Sequence, residues 1–290
     1  MRRCSPFEKM SLFGSSGIRG VVGKDITPDL ALAIGAAVGQ DHKRIIIGKD
    51  TRTSGDMMEN ALSAGAMASG ADVYLTGTVS TPTLARAAFD YDCGIMVTAS
   101  HNPAEYNGVK LWNPDGAAFD TPKMDRMESL IFSNKRSVAD WKTVGTMHRH
   151  EGAIRDHIRD ILHSVGTASL SVVVDCGCGG TCGISPQLFR EMGCTVFAIN
   201  AQPDGFFPGR QPEPTEDQLI DLRRTVVARG ADLGIAHDGD GDRMVAVDEN
   251  GRFVDGDKLL ALFASLTEAG GIVAPIDASM VLDDMVDGNV

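Results

Sequence analysis

Ile45-Ile46-Ile47, standing between Arg44 and Gly48-Lys49-Asp50, offers no polar residue to either face of a strand. A strand of that kind is covered on both sides, as in a parallel sheet with helices packed above and below it. Upstream, Thr27-Pro28-Asp29 opens a helix with threonine as N-cap and proline at the first helical position, and Ala31, Ile34, Ala37 and Val38 recur at helical spacing. Downstream, the pattern predicts a helix from Met57 to Ser69, a strand at Val73-Tyr74-Leu75, a helix from Ala85 to Phe89 and a strand at Gly94-Ile95-Met96-Val97. Strands alternating with helices mean an α/β domain.

The alternation restarts after a polar stretch, Ser133 to Thr146. A helix is expected from Glu151 to Val165, a buried strand at Ser171-Val172-Val173-Val174-Asp175, a helix from Pro186 to Met192 and a strand at Val196-Phe197-Ala198-Ile199. Pro203 to Pro214 reads as an exposed loop rich in proline and glycine. Thr215 and Gln218 form a capping box for a helix running to Ala228. Strands follow at Leu233-Gly234-Ile235-Ala236 and Met244-Val245-Ala246-Val247, and a third unit begins with a helix from Asp257 to Thr267 and room for one strand. The expected fold is tandem α/β domains with mixed, mostly parallel sheets: two complete domains, residues 1–150 and 151–255, and the start of a third, 256–290, too short for a core of its own. The chain reads as cut short.

Composition excludes several classes. The 290 residues are 43% hydrophobic and 23% charged, ordinary for a globular protein, and no apolar stretch is long enough to cross a bilayer. The first nine residues have basic character but no apolar h-region, so a cytoplasmic location is expected. A net charge of -12 argues against a nucleic-acid partner while leaving room for local cationic pockets. Cys176, Cys178 and Cys182 are close enough in sequence to suggest metal, but no CxxC pair or nearby histidine completes a set; a turn with small apolar thiols is expected.

Two stretches carry chemistry. Thr98-Ala99-Ser100-His101-Asn102-Pro103 places a serine just beyond a strand's carboxyl end, where open α/β sheets keep their working groups. It lacks the Gly-x-Ser-x-Gly elbow of a serine hydrolase, and Asn102-Pro103 favours a turn that holds the hydroxyl outward. Asp238-Gly239-Asp240-Gly241-Asp242-Arg243 sets carboxylates at alternate positions, which an extended backbone would aim to one side. Three such oxygens suit a hard cation such as Mg²⁺, and Arg243 can grip a phosphate. Glu249 would be the twelfth residue of a calcium hand, but Arg243 stands where that loop needs glycine; a solvated acidic turn is the bland alternative. Arg19 lies in a glycine-rich loop able to bind phosphate or simply to expose a cation. Lys110 is close enough to share the Ser100 site, or is solvated. His101 is a proton carrier or a turn residue. Asp50 and Arg52 are expected to pair with each other or with loop backbone.

Taken in order, these motifs resemble the α-D-phosphohexomutases, a family that includes phosphomannomutase, phosphoglucomutase and phosphoglucosamine mutase. Phe13-Gly14-Ser15-Ser16-Gly17-Ile18-Arg19-Gly20, Gly48-Lys49-Asp50-Thr51-Arg52, the Ser100 loop, Asn107-Gly108-Val109-Lys110, Phe207-Pro208-Gly209-Arg210 with Pro212-Glu213-Pro214, and Asp238 to Arg243 match the family's loops. The resemblance implies that Ser100 carries a phosphoryl group, that Asp238, Asp240 and Asp242 hold Mg²⁺ with a phosphoserine oxygen, and that Arg19, His101, Lys110 and Arg243 serve phosphate binding and proton transfer. Lys110 is the first candidate for general acid/base and His101 the second. The implied reaction interconverts hexose 1-phosphate and 6-phosphate, with mannose, glucose or glucosamine as the sugar, through a bisphosphate. Family members have four domains, and their sugar-selecting loops would fall beyond Val290. The expectation is therefore a fragment or one piece of a split enzyme, impaired alone, with a second chain as partner. A sugar-phosphate or metal binding subunit, or a metal-dependent phosphatase, are the rivals.

Overall fold

A computed structural model describes residues 12–14, 17–133, 137–266, 272–274, 278–280 and 282. The first six-stranded sheet is built from β1 (Ile18–Val21), β2 (Arg44–Lys49), β3 (Asp72–Thr78), β4 (Cys93–Val97), β5 (Tyr106–Trp112) and β6 (Met147–Arg149), in the order β1-β5-β4-β2-β3-β6. Strands β4, β2, β3 and β6 run parallel, whereas β5 and β1 are antiparallel additions beside β4. Helices α1 (Pro28–Asp41), α2 (Gly55–Ala68), α3 (Thr81–Ala87) and α4 (Thr121–Phe132) complete this unit. Ile45, Ile46 and Ile47 are fully buried. Thr27 caps α1 by accepting the Leu30 N–H at 3.3 Å, and Pro28 occupies the first turn.

Helices α1 and α2 lie close because glycine removes the side chain at their contact. A Cβ on Gly35 would stand 2.0 Å from the Leu62 carbonyl oxygen, and one on Gly65 2.1 Å from that of Leu32.

The second sheet has the order β11-β10-β9-β7-β8, from β7 (Ser171–Asp175), β8 (Thr195–Ile199), β9 (Leu233–His237), β10 (Met244–Asp248) and β11 (Phe253–Val254). Strands β8, β7 and β9 are parallel and the last two antiparallel. Helices α5 (Ala153–Val165), α6 (Ser185–Met192) and α7 (Ile220–Arg229) accompany it, and α8 (Gly256–Leu266) follows. The fold is thus tandem α/β with mixed sheets. Helix α5 reaches back to the first unit: Arg86 on α3 pairs with Asp160 at 2.5 Å, and Thr83 meets His157 Nδ1 at 3.0 Å.

Four expectations need correction. Just after the polar stretch, and within the bounds expected for the first domain, an unpredicted strand, β6, extends the first sheet. Residues 203–214 form a loop that is exposed only in part: Phe206 lies at the surface, whereas Phe207 and Arg210 are buried. Thr215 makes no capping bond; its hydroxyl donates to Asp217 Oδ1 at 2.6 Å, and a 3₁₀ turn (Glu216–Gln218) precedes α7. Between β4 and the polar stretch, β5 and α4 were both unpredicted, as was β1 ahead of α1. Ser15, Ser16 and Thr267, the expected end of the last helix, lie outside the described residues. Among the described residues no helix is long and apolar enough to cross a membrane.

Candidate active site

The carboxyl end of β4 delivers Thr98-Ala99-Ser100 into a tight turn. Ser100 adopts φ 52°, an uncommon conformation for a residue with a side chain, and its N–H is held by Thr98 Oγ1 at 2.8 Å. Its hydroxyl faces the second unit: Ser100 Oγ donates to Asp238 Oδ2 at 2.8 Å. Ser100 and Asp238 are 1% and 0% exposed, so the hydroxyl points outward from its own sheet but into the seam between the two sheets.

Asp238, Asp240 and Asp242 belong to the turn joining β9 to β10, not to an extended strand. Gly241 at φ 71° reverses the chain, and one ligand oxygen from each carboxylate falls within 4.8 Å of the others. Close approach at this seam is backbone to backbone. A Cβ on Gly239 would lie 2.5 Å from the Ser100 carbonyl oxygen, and one on Gly180 2.6 Å from that of Val79.

The cysteine segment supplies the floor of this acidic turn. Gly180 N–H donates to the Gly239 carbonyl at 2.9 Å, and Cys176 and Cys178 are buried. A hydrogen bond with Cys176, then burial, pushes the Cys182 thiol far up. The compact turn expected from the sequence is what the structure contains.

Antiparallel β5 carries Lys110 into the same space. Lys110 Nζ bonds Asp240 Oδ2 at 2.7 Å and Asp242 Oδ2 at 2.6 Å. Burial works against its charge, but the two carboxylates outweigh burial and hold its pKa above the ordinary lysine value. Register explains the neighbour: Arg19 on β1 pairs with Gly108 on β5, two residues from Lys110, so Arg19 and Lys110 share a face. Arg19 Nη1 donates to Asn102 Oδ1 at 3.3 Å, while its buried Nε has no partner. Desolvation lowers its pKa, partly offset by Asp240 and Asp242.

At the rim, His101 Nδ1 lies 3.4 Å from Ser100 Oγ and 3.6 Å from Glu213 Oε2. Burial depresses the histidine, Glu213 opposes that, and Arg243 and Arg19 add to it. Arg243 Nη1 contacts Glu213 Oε1 at 3.4 Å, with about half its side chain exposed. All eight residues singled out in the sequence therefore converge around one seam.

The carboxylates respond differently. Burial and repulsion from Asp240 and Asp242 drive Asp238 well above the usual carboxylate range, against the hydrogen bond from Ser100. Asp240 is pushed up by burial but held below its ordinary value by Lys110 and by the Thr81 hydroxyl at 2.5 Å. Asp240 Oδ1 remains buried and without a partner. Three converging carboxylates, one with an unused buried oxygen, fit a hard divalent cation. Such a cluster, a buried hydroxyl and three flanking cations can bind a phosphoryl group and pass it on.

Sequence reading did not assign Thr81, Asn102 or Glu213 to this site. Thr81 sits at the start of α3, far from both motifs in sequence, and no local pattern marks it. Glu213 lies between Pro212 and Pro214, which signal a fixed loop.

Residues 10–137 match the family described as Phosphoglucomutase/phosphomannomutase, alpha/beta/alpha domain I, and residues 154–251 match its alpha/beta/alpha domain II. A protein of Methanocella arvoryzae named "Probable phosphoglucosamine mutase" is 57% identical over 274 residues, covering 94% of this chain and 62% of that protein. One of the same name from Methanosarcina barkeri is 52% identical over 284 residues, covering 97% of this chain and 65% of that protein. A crystal structure of a phosphoglucomutase/phosphomannomutase family protein from Burkholderia thailandensis superposes with a TM-score of 0.79 at 31% identity, over 88% of this chain and 58% of that one. The chain spans less than two thirds of the length of these relatives.

Proposed function

The chain belongs to the phosphoglucomutase/phosphomannomutase family, and from that membership we propose that it is a phosphohexomutase chain which accepts and donates a phosphoryl group at Ser100. The sugar favoured by this reading is glucosamine, since the relatives most similar in sequence carry the name phosphoglucosamine mutase. The substrates are then a hexose monophosphate and its 1,6-bisphosphate.

One observation carries the proposal: Ser100 Oγ lies 2.8 Å from Asp238 Oδ2, across a seam where Lys110 already neutralises Asp240 and Asp242. Asp238, Asp240 and Asp242 would hold Mg²⁺ together with an oxygen on Ser100. When bound, Mg²⁺ supplies positive charge that offsets the phosphoryl oxygens.

The protein's own groups have distinct tasks. Asp238 holds the Ser100 hydroxyl through its hydrogen bond and fixes the direction of its oxygen. Arg19 and Arg243 flank the turn as phosphate-binding cations, Arg19 oriented by Asn102. Lys110 Nζ holds the proton that a sugar hydroxyl gains or loses, with His101 as the alternative carrier beside Ser100. Transfer joins phosphorus to a sugar oxygen and breaks its bond to Ser100 Oγ; the reverse transfer from the other position restores the phosphoserine.

Residence in the cytoplasm, and a second chain supplying the portion of the relatives that this one does not span, complete the reading. The test is phosphorus NMR of the purified chain mixed with glucosamine 1,6-bisphosphate and Mg²⁺. Glucosamine monophosphate formed in proportion to protein-bound phosphate supports transfer. Steady release of inorganic phosphate with an unmodified protein overturns it.

A further inference from the structure

Two loops from two different sheets must meet to within a hydrogen bond at Ser100 and Asp238, and each is gripped by a buried aspartate–arginine pair. Arg52 Nε donates to Asp50 Oδ2 at 3.0 Å. Its Nη1 donates to the Pro103 and Tyr106 carbonyls at 2.5 and 2.8 Å, and its Nη2 to those of Ser100 and Asn102 at 2.9 and 2.6 Å. All five guanidinium N–H donors are used, four of them on the serine turn.

The second unit repeats the device. Arg210 Nε donates to Asp175 Oδ2 at 2.9 Å, Nη2 to the His237 carbonyl at 2.5 Å, and Nη1 to the Gln211 carbonyl at 3.0 Å. His237 is the residue immediately before Asp238.

The two clamps are joined by one short segment. Phe207 places its ring 5.2 Å from the Arg52 guanidinium carbon, three residues ahead of Arg210. Phe207 is buried and held at φ 51°, which a bulky residue adopts only when its surroundings impose it. Gly205 lets the segment lie directly on the Arg52 loop: a Cβ there would be 2.5 Å from both the Thr51 carbonyl oxygen and the Thr53 nitrogen.

We infer that Gly205–Arg210 is a strut between the serine turn and the acidic turn, and that Arg52, Phe207 and Arg210 are positioning residues that set the Ser100–Asp238 spacing. The inference deepens the phosphoryl-transfer reading and rests on it. Neither arginine touches the reacting oxygen. Arg52 fixes carbonyls of the serine turn and Arg210 the His237 carbonyl at the entry to the acidic turn, and a misplacement of about 1 Å costs roughly 100-fold in rate. Lysine keeps the charge but cannot fill a five-donor fork, so Arg→Lys separates geometry from electrostatics.

The experiment compares Arg52→Lys, Phe207→Leu and Arg210→Lys in the full chain, by rate of Ser100 labelling from glucosamine 1,6-bisphosphate, Mg²⁺ affinity by calorimetry, and hydrogen exchange. Arg52→Lys should slow labelling about 100-fold with Mg²⁺ affinity within about threefold of the parent. Arg210→Lys should weaken Mg²⁺ binding roughly tenfold or more. Phe207→Leu should slow labelling and speed exchange at residues 98–102 and 238–243 together. Combining Arg52→Lys with Arg210→Lys should cost less than the product of the two, because the strut is already broken. Parent-like labelling and exchange in Phe207→Leu, or a purely multiplicative double variant, overturns the strut. If the parent is never labelled, the transfer reading falls, and the exchange data still decide the strut. Should Arg52→Lys fail to fold, Phe207→Leu decides it.

Discussion

Lys110 concentrates the electrostatic logic of the site in one ammonium group. It occupies the mouth of three carboxylates and balances the two it touches, Asp240 and Asp242. A divalent cation held there would draw on the same oxygens, so lysine and metal would compete for them. Removing one partner of a largely buried ion pair costs about 3–5 kcal/mol. Lys110→Met should therefore lower the melting temperature of the metal-free protein, and Mg²⁺ should raise it by more than it raises the parent's. Equal Mg²⁺ shifts in the two proteins, read by calorimetric melting, would contradict this account. The sequence carried the identities of these residues clearly, because Asp-Gly-Asp-Gly-Asp and the serine motif are local patterns. It did not carry how the aspartates converge: the turn at Gly241, not an extended backbone, brings them together.

At the scale of elements, the parallel strands were the most legible. Ile45-Ile46-Ile47 and Val172-Val173-Val174 are fully buried in continuous apolar runs, and both lie on interior strands of their sheets. Strand β5 was hidden because Asn107-Gly108 carries turn chemistry. Gly108 is there for contact: a Cβ would meet the Ile18 carbonyl oxygen at 2.1 Å, so only glycine lets β1 and β4 flank β5 so closely. The edge strand β6 was hidden for the opposite reason. Met147, His148 and Arg149 are all exposed, and no apolar alternation marks them. Helix contacts follow the glycine rule as well. Gly35→Ala should destabilise the fold by roughly 1–3 kcal/mol through displacement of α1 from α2, as judged by the urea midpoint. A midpoint at or above the parent's, as expected if helix propensity alone mattered, would contradict the packing account.

Across the whole molecule, the seam between the two sheets is also held away from the candidate site. Helix α5 lies against α3 through Arg86–Asp160 and through His157, whose Nδ1 meets Thr83 Oγ1. Burial lowers the His157 pKa from its ordinary value, with Arg86 adding to the effect and Asp160 opposing it. The unfolded chain therefore binds this proton more readily than the folded one. The stability contributed by neutral His157 is present above about pH 6.5 and is lost as pH falls through its lower folded value. His157→Gln should flatten the loss of stability on acidification below about pH 6.5, measured by urea unfolding across pH. An unchanged slope would mean that other groups carry the acid sensitivity. Nothing in the sequence of α5 announced this contact, because its apolar stripe at Ile154, Ile158 and Ile161 fits either unit equally well.

The most direct measurement is peptide mapping by mass spectrometry of the chain and its Ser100→Ala variant after exposure to glucosamine 1,6-bisphosphate with Mg²⁺. The account predicts phosphate on the peptide containing Ser100, removed by added glucosamine monophosphate and absent from the variant. Phosphate elsewhere, or equal labelling of both proteins, would contradict it.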